Sequence, residues 1–313
     1  MLSELDIAAS IAILLSLGIL AGSILLRISD TGKEPVSTPD FVPPWSIGWV
    51  NFGLFICALI ISVSFTQSLV TKLMELSTAS VTADEADNNE AATTAATYQP
   101  TEETELINQN PWIWVLFVLS LQIPMAITFF GLRSLYPETF GGSLNRKFVS
   151  IRRALLETAP YFIRYFPIIW LTGLVWLVVL TGFKKLGIVE EFQRQQLTNV
   201  IVDGTNPLVT GLLVTFAVAL APFVEEIIFR GAIYRFLKGE THTVHAQIIS
   251  GTLFAALHFN LYSFMPLLVM GILLARIYEQ GGNILLPIIF HAYWNGFSLL
   301  MLFLTTQSKV SFW

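Results

Sequence analysis

Long apolar runs constrain this chain more than any other feature of its sequence. A membrane-spanning helix needs about 20 mostly apolar residues, because the bilayer core offers no water to backbone polar groups. The sequence predicts an all-α fold, a polytopic membrane helix bundle of about eight transmembrane helices. The candidate spans are residues 7–26, 47–70, 112–132, 161–183, 208–237, 246–261, 265–279 and 284–304.

The composition supports a membrane location. Hydrophobic residues make up 54% of the 313 residues and charged residues only 12%, whereas soluble domains carry about 25% charged residues. So few charges would leave most of a soluble fold without a polar surface. The single cysteine, Cys57, excludes a disulfide framework and a multi-cysteine metal site.

Composition also divides the chain. Residues 1–72 read as two N-terminal transmembrane helices joined by a Pro-rich linker, and the N-terminus lacks the basic region of a signal peptide. Residues 73–110 are acidic and poor in bulky apolar side chains, which predicts a disordered loop. Residues 111–304 form the predicted core, and 305–313 form a short tail.

Basic residues predict the orientation of the bundle. Lys and Arg are concentrated in the loops that share a side with residues 27–46 and 133–160. The positive-inside rule assigns that side to the cytoplasm and both termini to the opposite side. We therefore expect a multi-pass protein of the cytoplasmic membrane.

Ionisable side chains inside the later spans call for an explanation, since each costs at least ~2.5–3.5 kcal/mol at mid-bilayer. They occur in three short patterns. These are EEIIFR, with Glu225, Glu226 and Arg230; FAALH, from Phe254 to His258; and HAYWN, from His291 to Asn295.

Helical geometry relates these residues to one another. Residues four apart share a face, so Glu226 can pair with Arg230. Glu225 is turned ~100° from Glu226 and is free to face another helix. Counting from the span ends places Glu225, His258 and Asn295 at matched depth, with His291 about one turn shallower. We expect the site to open toward the cytoplasmic side.

This set of groups fits peptide hydrolysis, which needs an activated water and donors for the oxyanion of the tetrahedral intermediate. Glu225 with His258 can deprotonate water, and His291 with Asn295 can supply the donors. Two other interpretations stay open. The groups can form a proton- or ion-coupled transport path, or the chain can be a non-catalytic peptide-binding or immunity protein. The Glu226–Arg230 pair can also be purely structural.

The ordered patterns E-E-x-x-x-R, F-x-x-x-H and H-x-x-x-N resemble the CAAX protease and bacteriocin-processing (CPBP, or Abi) family, which includes type II CAAX prenyl proteases. The resemblance covers residues 207–304. It implies an all-helical intramembrane endopeptidase in which Glu225 and His258 activate water and His291 and Asn295 form the oxyanion site. It implies supporting roles for the remaining motif residues, Glu226, Arg230 and Phe254.

The resemblance leaves cofactor and substrate open. We expect no metal, with zinc bound by Glu225, His258 and His291 as the alternative. The expected partners are the lipid bilayer and a membrane-associated peptide or protein substrate, either a prenylated CAAX-type or a bacteriocin-like one. No nucleic acid is expected.

Overall fold

The computed structural model describes residues 42–86, 111–187, 201 and 206–310, with side chains described up to 73 in the first range and up to 304 in the last. The predicted first span, residues 7–26, lies outside this part of the chain. Residues 87–110, the larger part of the predicted acidic loop, also lie outside it.

Every regular element among the described residues is a helix, and six of them are long and apolar enough to cross a membrane. This confirms the predicted polytopic helix bundle. The helices are α1 Trp49–Ala86, α2 Trp112–Leu135, α3 Pro137–Phe140, α4 Ile151–Lys185, α5 Pro207–Glu240, α6 Thr243–Ala256, α7 Phe264–Gly281 and α8 Leu285–Val310.

The sixth predicted span, residues 246–261, is wrong in its extent. Helix α6 has 14 residues and ends at Ala256, which is short of the length needed to cross a bilayer. Phe259 has φ 48°, a left-handed conformation that cannot continue a right-handed helix. Asn260 Oδ1 then accepts from the Ser263 N–H at 3.1 Å, which closes a turn before α7.

Helix α1 extends further than the sequence predicted. The disordered loop was expected to begin at residue 73, but the helix continues to Ala86. Residues 73–86 contain Leu, Met, Glu and Ala, which are good helix formers, and no Gly or Pro that would stop a helix.

The Pro-rich segment before α1 packs onto α5. Val42, Trp45 and Ile47 are buried, and the Trp45 N–H donates to the Arg235 carbonyl at 3.0 Å. The Lys238 ammonium donates to the Val42 carbonyl at 2.8 Å. The residues on either side of the acidic segment therefore share one apolar core, although composition separates them.

Helices α6 and α7 approach each other at two glycines. A Cβ added at Gly271 would lie 2.7 Å from the Gly251 Cα, and one at Gly251 would lie 2.8 Å from the Ile272 nitrogen. Both neighbours are backbone atoms and cannot rotate away. Small residues of this kind let membrane helices pack with their backbones in contact.

We predict that Gly271→Ala destabilises the protein by about 1–3 kcal/mol, the usual range for overpacking, because α6 and α7 must separate. Thermal unfolding of purified protein in detergent measures this effect. Gly211→Ala is the matched control, since no atom lies within 4 Å of the added Cβ. Equal melting temperatures for the two variants would show that the α6–α7 contact is not tight.

Candidate active site

Helix α5 carries both glutamates between two widened segments. These π segments are Phe216–Leu220 and Ile227–Tyr234, with Ala221–Glu226 between them. Pro222 gives a physical reason for the first, because a proline ring inside a helix clashes with the carbonyl four residues earlier. In that segment the Ala221 N–H donates to the carbonyl of Phe216, five residues back.

Glu226 and Arg230 form the predicted ion pair. Arg230 Nη1 donates to Glu226 Oε1 at 2.7 Å, and both side chains are fully buried. The second guanidinium nitrogen, Nη2, donates to the carbonyl of Gly271 on α7 at 2.9 Å. Gly271 has no Cβ, so α7 can lie close to α6. The Gly271 carbonyl then helps to hold the Arg230 guanidinium of α5 in place.

His291 on α8 binds the same carboxylate oxygen. Its Nδ1 lies 2.9 Å from Glu226 Oε1. A carboxylate paired with arginine accepts hydrogen bonds, so Nδ1 carries the hydrogen and Nε2 is the acceptor of the neutral ring. Glu226 thus fixes both the orientation and the tautomer of His291, a contact that the sequence patterns did not predict.

His258 lies in the turn after α6 and not inside a helix, because α6 ends at Ala256. Its Nδ1 lies 2.7 Å from the carbonyl of Phe254, which only accepts, so Nε2 is again the acceptor of the neutral ring. The centroid of the Phe254 ring lies 4.7 Å from that of the His258 ring and 5.6 Å from that of the His291 ring. The Arg230 guanidinium carbon lies 4.7 Å from the same ring centroid.

Glu225 faces both histidines. Its Oε2 lies 4.0 Å from His258 Nε2 and 3.9 Å from His291 Nε2, which is too long for a direct hydrogen bond. Among the described residues, this buried oxygen has no hydrogen-bond partner. Three acceptor atoms thus converge, an arrangement that suits a small molecule donating two hydrogens, such as water.

The Asn295 side chain already makes one hydrogen bond to the backbone. Its Nδ2 donates to the carbonyl of Ala217 in the first π segment at 2.8 Å. Asn295 lies one helical turn from His291 on α8, as the spacing predicted. One hydrogen of its amide is therefore bound by the backbone of α5, and the other hydrogen of Nδ2 is the one left for a ligand.

Over the described stretches of the chain, no group of three or more His, Cys, Asp or Glu side chains is arranged so that it could hold a metal ion. Glu225, His258 and His291 are the alternative zinc set. Glu225 Oε2 lies 3.9–4.0 Å from the two imidazole Nε2 atoms, compared with about 3.4 Å between ligands of a tetrahedral zinc bound at ~2.1 Å.

Two backbone groups of the site were missed by sequence reasoning. These are the carbonyls of Gly271 and Ala217, which bind Arg230 and Asn295. Every residue has a backbone carbonyl, so no residue type in the sequence indicates which carbonyl binds a side chain. The only sequence signals were indirect ones, a glycine in α7 and Pro222 in α5.

Fold and site together define an integral multi-pass membrane protein with ionisable groups buried among its helices. Comparison with known proteins shows which proteins the chain is similar to. Residues 207–297 match the family model described as Type II CAAX prenyl endopeptidase Rce1-like, which confirms the family resemblance predicted from the three motifs. No solved structure matches the chain significantly.

The chain is also similar to a curated protein of Bacillus subtilis (strain 168) named "Putative membrane peptidase YdiL". The two are 28% identical over 204 residues, which is 65% of this chain and 76% of that protein.

We predict that Glu226→Gln and Glu225→Gln differ in stability. Glu226→Gln leaves the buried Arg230 without its counter-charge and weakens the anchor of His291, and breaking a buried pair costs about 3–5 kcal/mol. Glu225→Gln leaves the Glu226–Arg230 pair and the anchor of His291 intact, so its melting temperature should stay near that of the wild type. Thermal unfolding and folded yield in detergent compare the two, and a larger loss for Glu225→Gln would contradict the assigned roles.

Proposed function

We propose that this protein is an intramembrane endopeptidase in which Glu225 and His258 activate a water molecule and His291 and Asn295 bind the oxyanion. The observation that carries the proposal is the convergence of Glu225 Oε2 with two imidazole Nε2 atoms at 3.9–4.0 Å. Each ring is fixed through its Nδ1 by a separate acceptor, the Phe254 carbonyl or Glu226. The rings therefore present their Nε2 atoms toward the carboxylate without needing to reorient.

The chemistry follows from these atoms. Water lies within reach of Glu225 Oε2, attacks the carbonyl carbon of the scissile peptide bond and gives a proton to the carboxylate. The resulting tetrahedral intermediate carries a negative oxygen. When the C–N bond breaks, the proton held by Glu225 passes to the leaving amine, and the base is regenerated.

The oxyanion donors are Asn295 and His291. Asn295 has one Nδ2 hydrogen beyond that given to Ala217. His291 can donate from Nε2 only when that atom also carries a hydrogen, because Nδ1 already faces Glu226. In a site shielded from water, such fixed donors contribute more to catalysis than they would in solution.

The proposed mechanism uses no metal. The histidines and Glu225 have the donor types that zinc prefers, and each histidine has the anchored second nitrogen seen in zinc sites. If these residues held zinc, the ion would supply Lewis-acid polarisation of the bound oxygen. The wide donor spacing favours water activation by Glu225 itself.

The proposed substrate is a membrane-associated peptide or protein. The site lies within apolar helices, so a substrate must reach it from the bilayer or its surface. The match to a prenyl endopeptidase family model supports a prenylated CAAX-type peptide, and bacteriocin-like peptides form the second class. We propose that the site opens to the cytoplasmic side of the cytoplasmic membrane, where Lys and Arg are concentrated.

We predict that Glu225→Gln lowers the rate of peptide cleavage by about 10²–10⁴-fold, the range for removal of a general base. Purified protein in lipid is incubated with prenylated and unprenylated peptides, and products are identified by mass spectrometry. Glu138→Gln is the matched control, because Glu138 is an exposed carboxylate on the short helix α3. It should retain wild-type activity.

The same assay separates the competing interpretations. Activity that is lost with a chelator and restored by zinc would overturn the metal-free mechanism. Full activity of Glu225→Gln would remove Glu225 as the base. Absence of cleavage in the wild type, together with pH-driven solute uptake into vesicles, would favour a transporter; peptide binding without cleavage would favour a non-catalytic role.

A further inference from the structure

Pro222 interrupts the backbone hydrogen bonds of α5 one turn before the two glutamates. In the first π segment, the Ala221 N–H donates to the carbonyl of Phe216. The next carbonyl, that of Ala217, would pair with residue 222 in the same register. Residue 222 is a proline and has no N–H. The helix therefore leaves the Ala217 carbonyl without its own backbone donor.

An unpaired carbonyl inside a membrane bundle is costly, because neither lipid nor water is at hand to satisfy it. The Asn295 amide of α8 supplies the missing donor at 2.8 Å. The two helices are adjacent at this level, since a Cβ at Gly296, the next residue, would lie 3.9 Å from the Val218 side chain. Pro222 thus frees the Ala217 carbonyl, and the Asn295 amide binds that carbonyl from α8.

We propose that Pro222 is a positioning residue: by freeing the Ala217 carbonyl, it holds the Asn295 amide in the orientation needed to donate to the oxyanion. This inference rests on the proposed peptidase function. A hydrogen bond to one Nδ2 hydrogen fixes the plane of the amide, and with it the direction of the other hydrogen. Asn295 and His291 are one turn apart on α8, so the amide held by this bond lies on the same helix face as the imidazole.

Substitution of Pro222 should change this arrangement. Alanine at position 222 would restore a backbone N–H and let α5 satisfy the Ala217 carbonyl by itself. The Asn295 side chain would then lose its partner and become free to rotate. A proline inside a helix costs about 3 kcal/mol, so alanine at this position should not weaken α5. A loss of activity in a protein at least as stable as the wild type would therefore separate positioning from folding.

A thermal double-mutant cycle tests the contact without any activity measurement. The four proteins are the wild type, Pro222→Ala, Asn295→Ala and the double variant, each unfolded in detergent. Asn295→Ala alone should lower the melting temperature by about 2–8 °C, since it strands a buried carbonyl. In the Pro222→Ala background, the same change should lower it by less than about 2 °C. If Asn295→Ala alone does not fold, the double variant should recover folded protein.

Steady-state kinetics test the catalytic part. Pro222→Ala should reduce kcat about 10-fold or more with little change in KM, because the oxyanion exists only in the transition state. Adding Asn295→Ala to Pro222→Ala should reduce kcat by less than it does in the wild type. Pro160→Ala is the matched control: Pro160 is an exposed proline inside α4, and its removal should leave kcat unchanged.

The outcomes are distinguishable. Additive melting-temperature changes, or a double variant that also fails to fold, would overturn the inferred contact. Unchanged kcat in Pro222→Ala, with a large loss in Asn295→Ala, would overturn the positioning role. An inactive wild-type protein would count against the proposed function, and the thermal cycle would still report on the contact between Asn295 and Ala217.

Discussion

The buried ion pair between Glu226 and Arg230 is the interaction on which the rest of the site depends. Both side chains are fully buried, so neither charge is stable there without the other. The pair also reaches beyond α5: Arg230 donates to the Gly271 carbonyl of α7, and Glu226 accepts from His291 of α8. Three helices therefore meet at a single pair of charges, and the energetic need to satisfy those charges fixes how the helices sit.

Glu225, the residue next to this pair, has a different electrostatic environment. Adjacent helical residues are turned ~100° from each other, so one carboxylate faces the arginine and the other faces the two histidines. One acid is used to build the site, and the other is the base in the proposed mechanism. His258 and His291 are each hydrogen-bonded at Nδ1 and turn their Nε2 atoms toward Glu225.

Sequence reasoning reached the relations that helix periodicity governs. The pairing of Glu226 with Arg230 and the separate orientation of Glu225 follow from spacing alone. It failed where backbone or loop geometry decides, as at the end of α6, where Phe259 takes a left-handed conformation. The Gly271 and Ala217 carbonyls were missed because every residue has a carbonyl, and only the fold determines which one meets a side-chain donor. The hydrogen bond between His291 and Glu226 joins α8 to α5. Residue spacing within each helix does not predict which residues of the two helices meet.

Pro222 shows how a local defect can specify a tertiary contact in a membrane protein. In water, a carbonyl released by proline would be hydrated, and its position would constrain nothing else. In the bilayer, that carbonyl needs a protein donor, so the neighbouring helix must bring one to a defined height and direction. The Asn295 amide meets that need, and a side chain that satisfies such a carbonyl cannot also move freely. A defect in the backbone hydrogen bonding of α5 is thereby converted into rigidity of a polar group on α8, beside the histidine that Glu226 already holds.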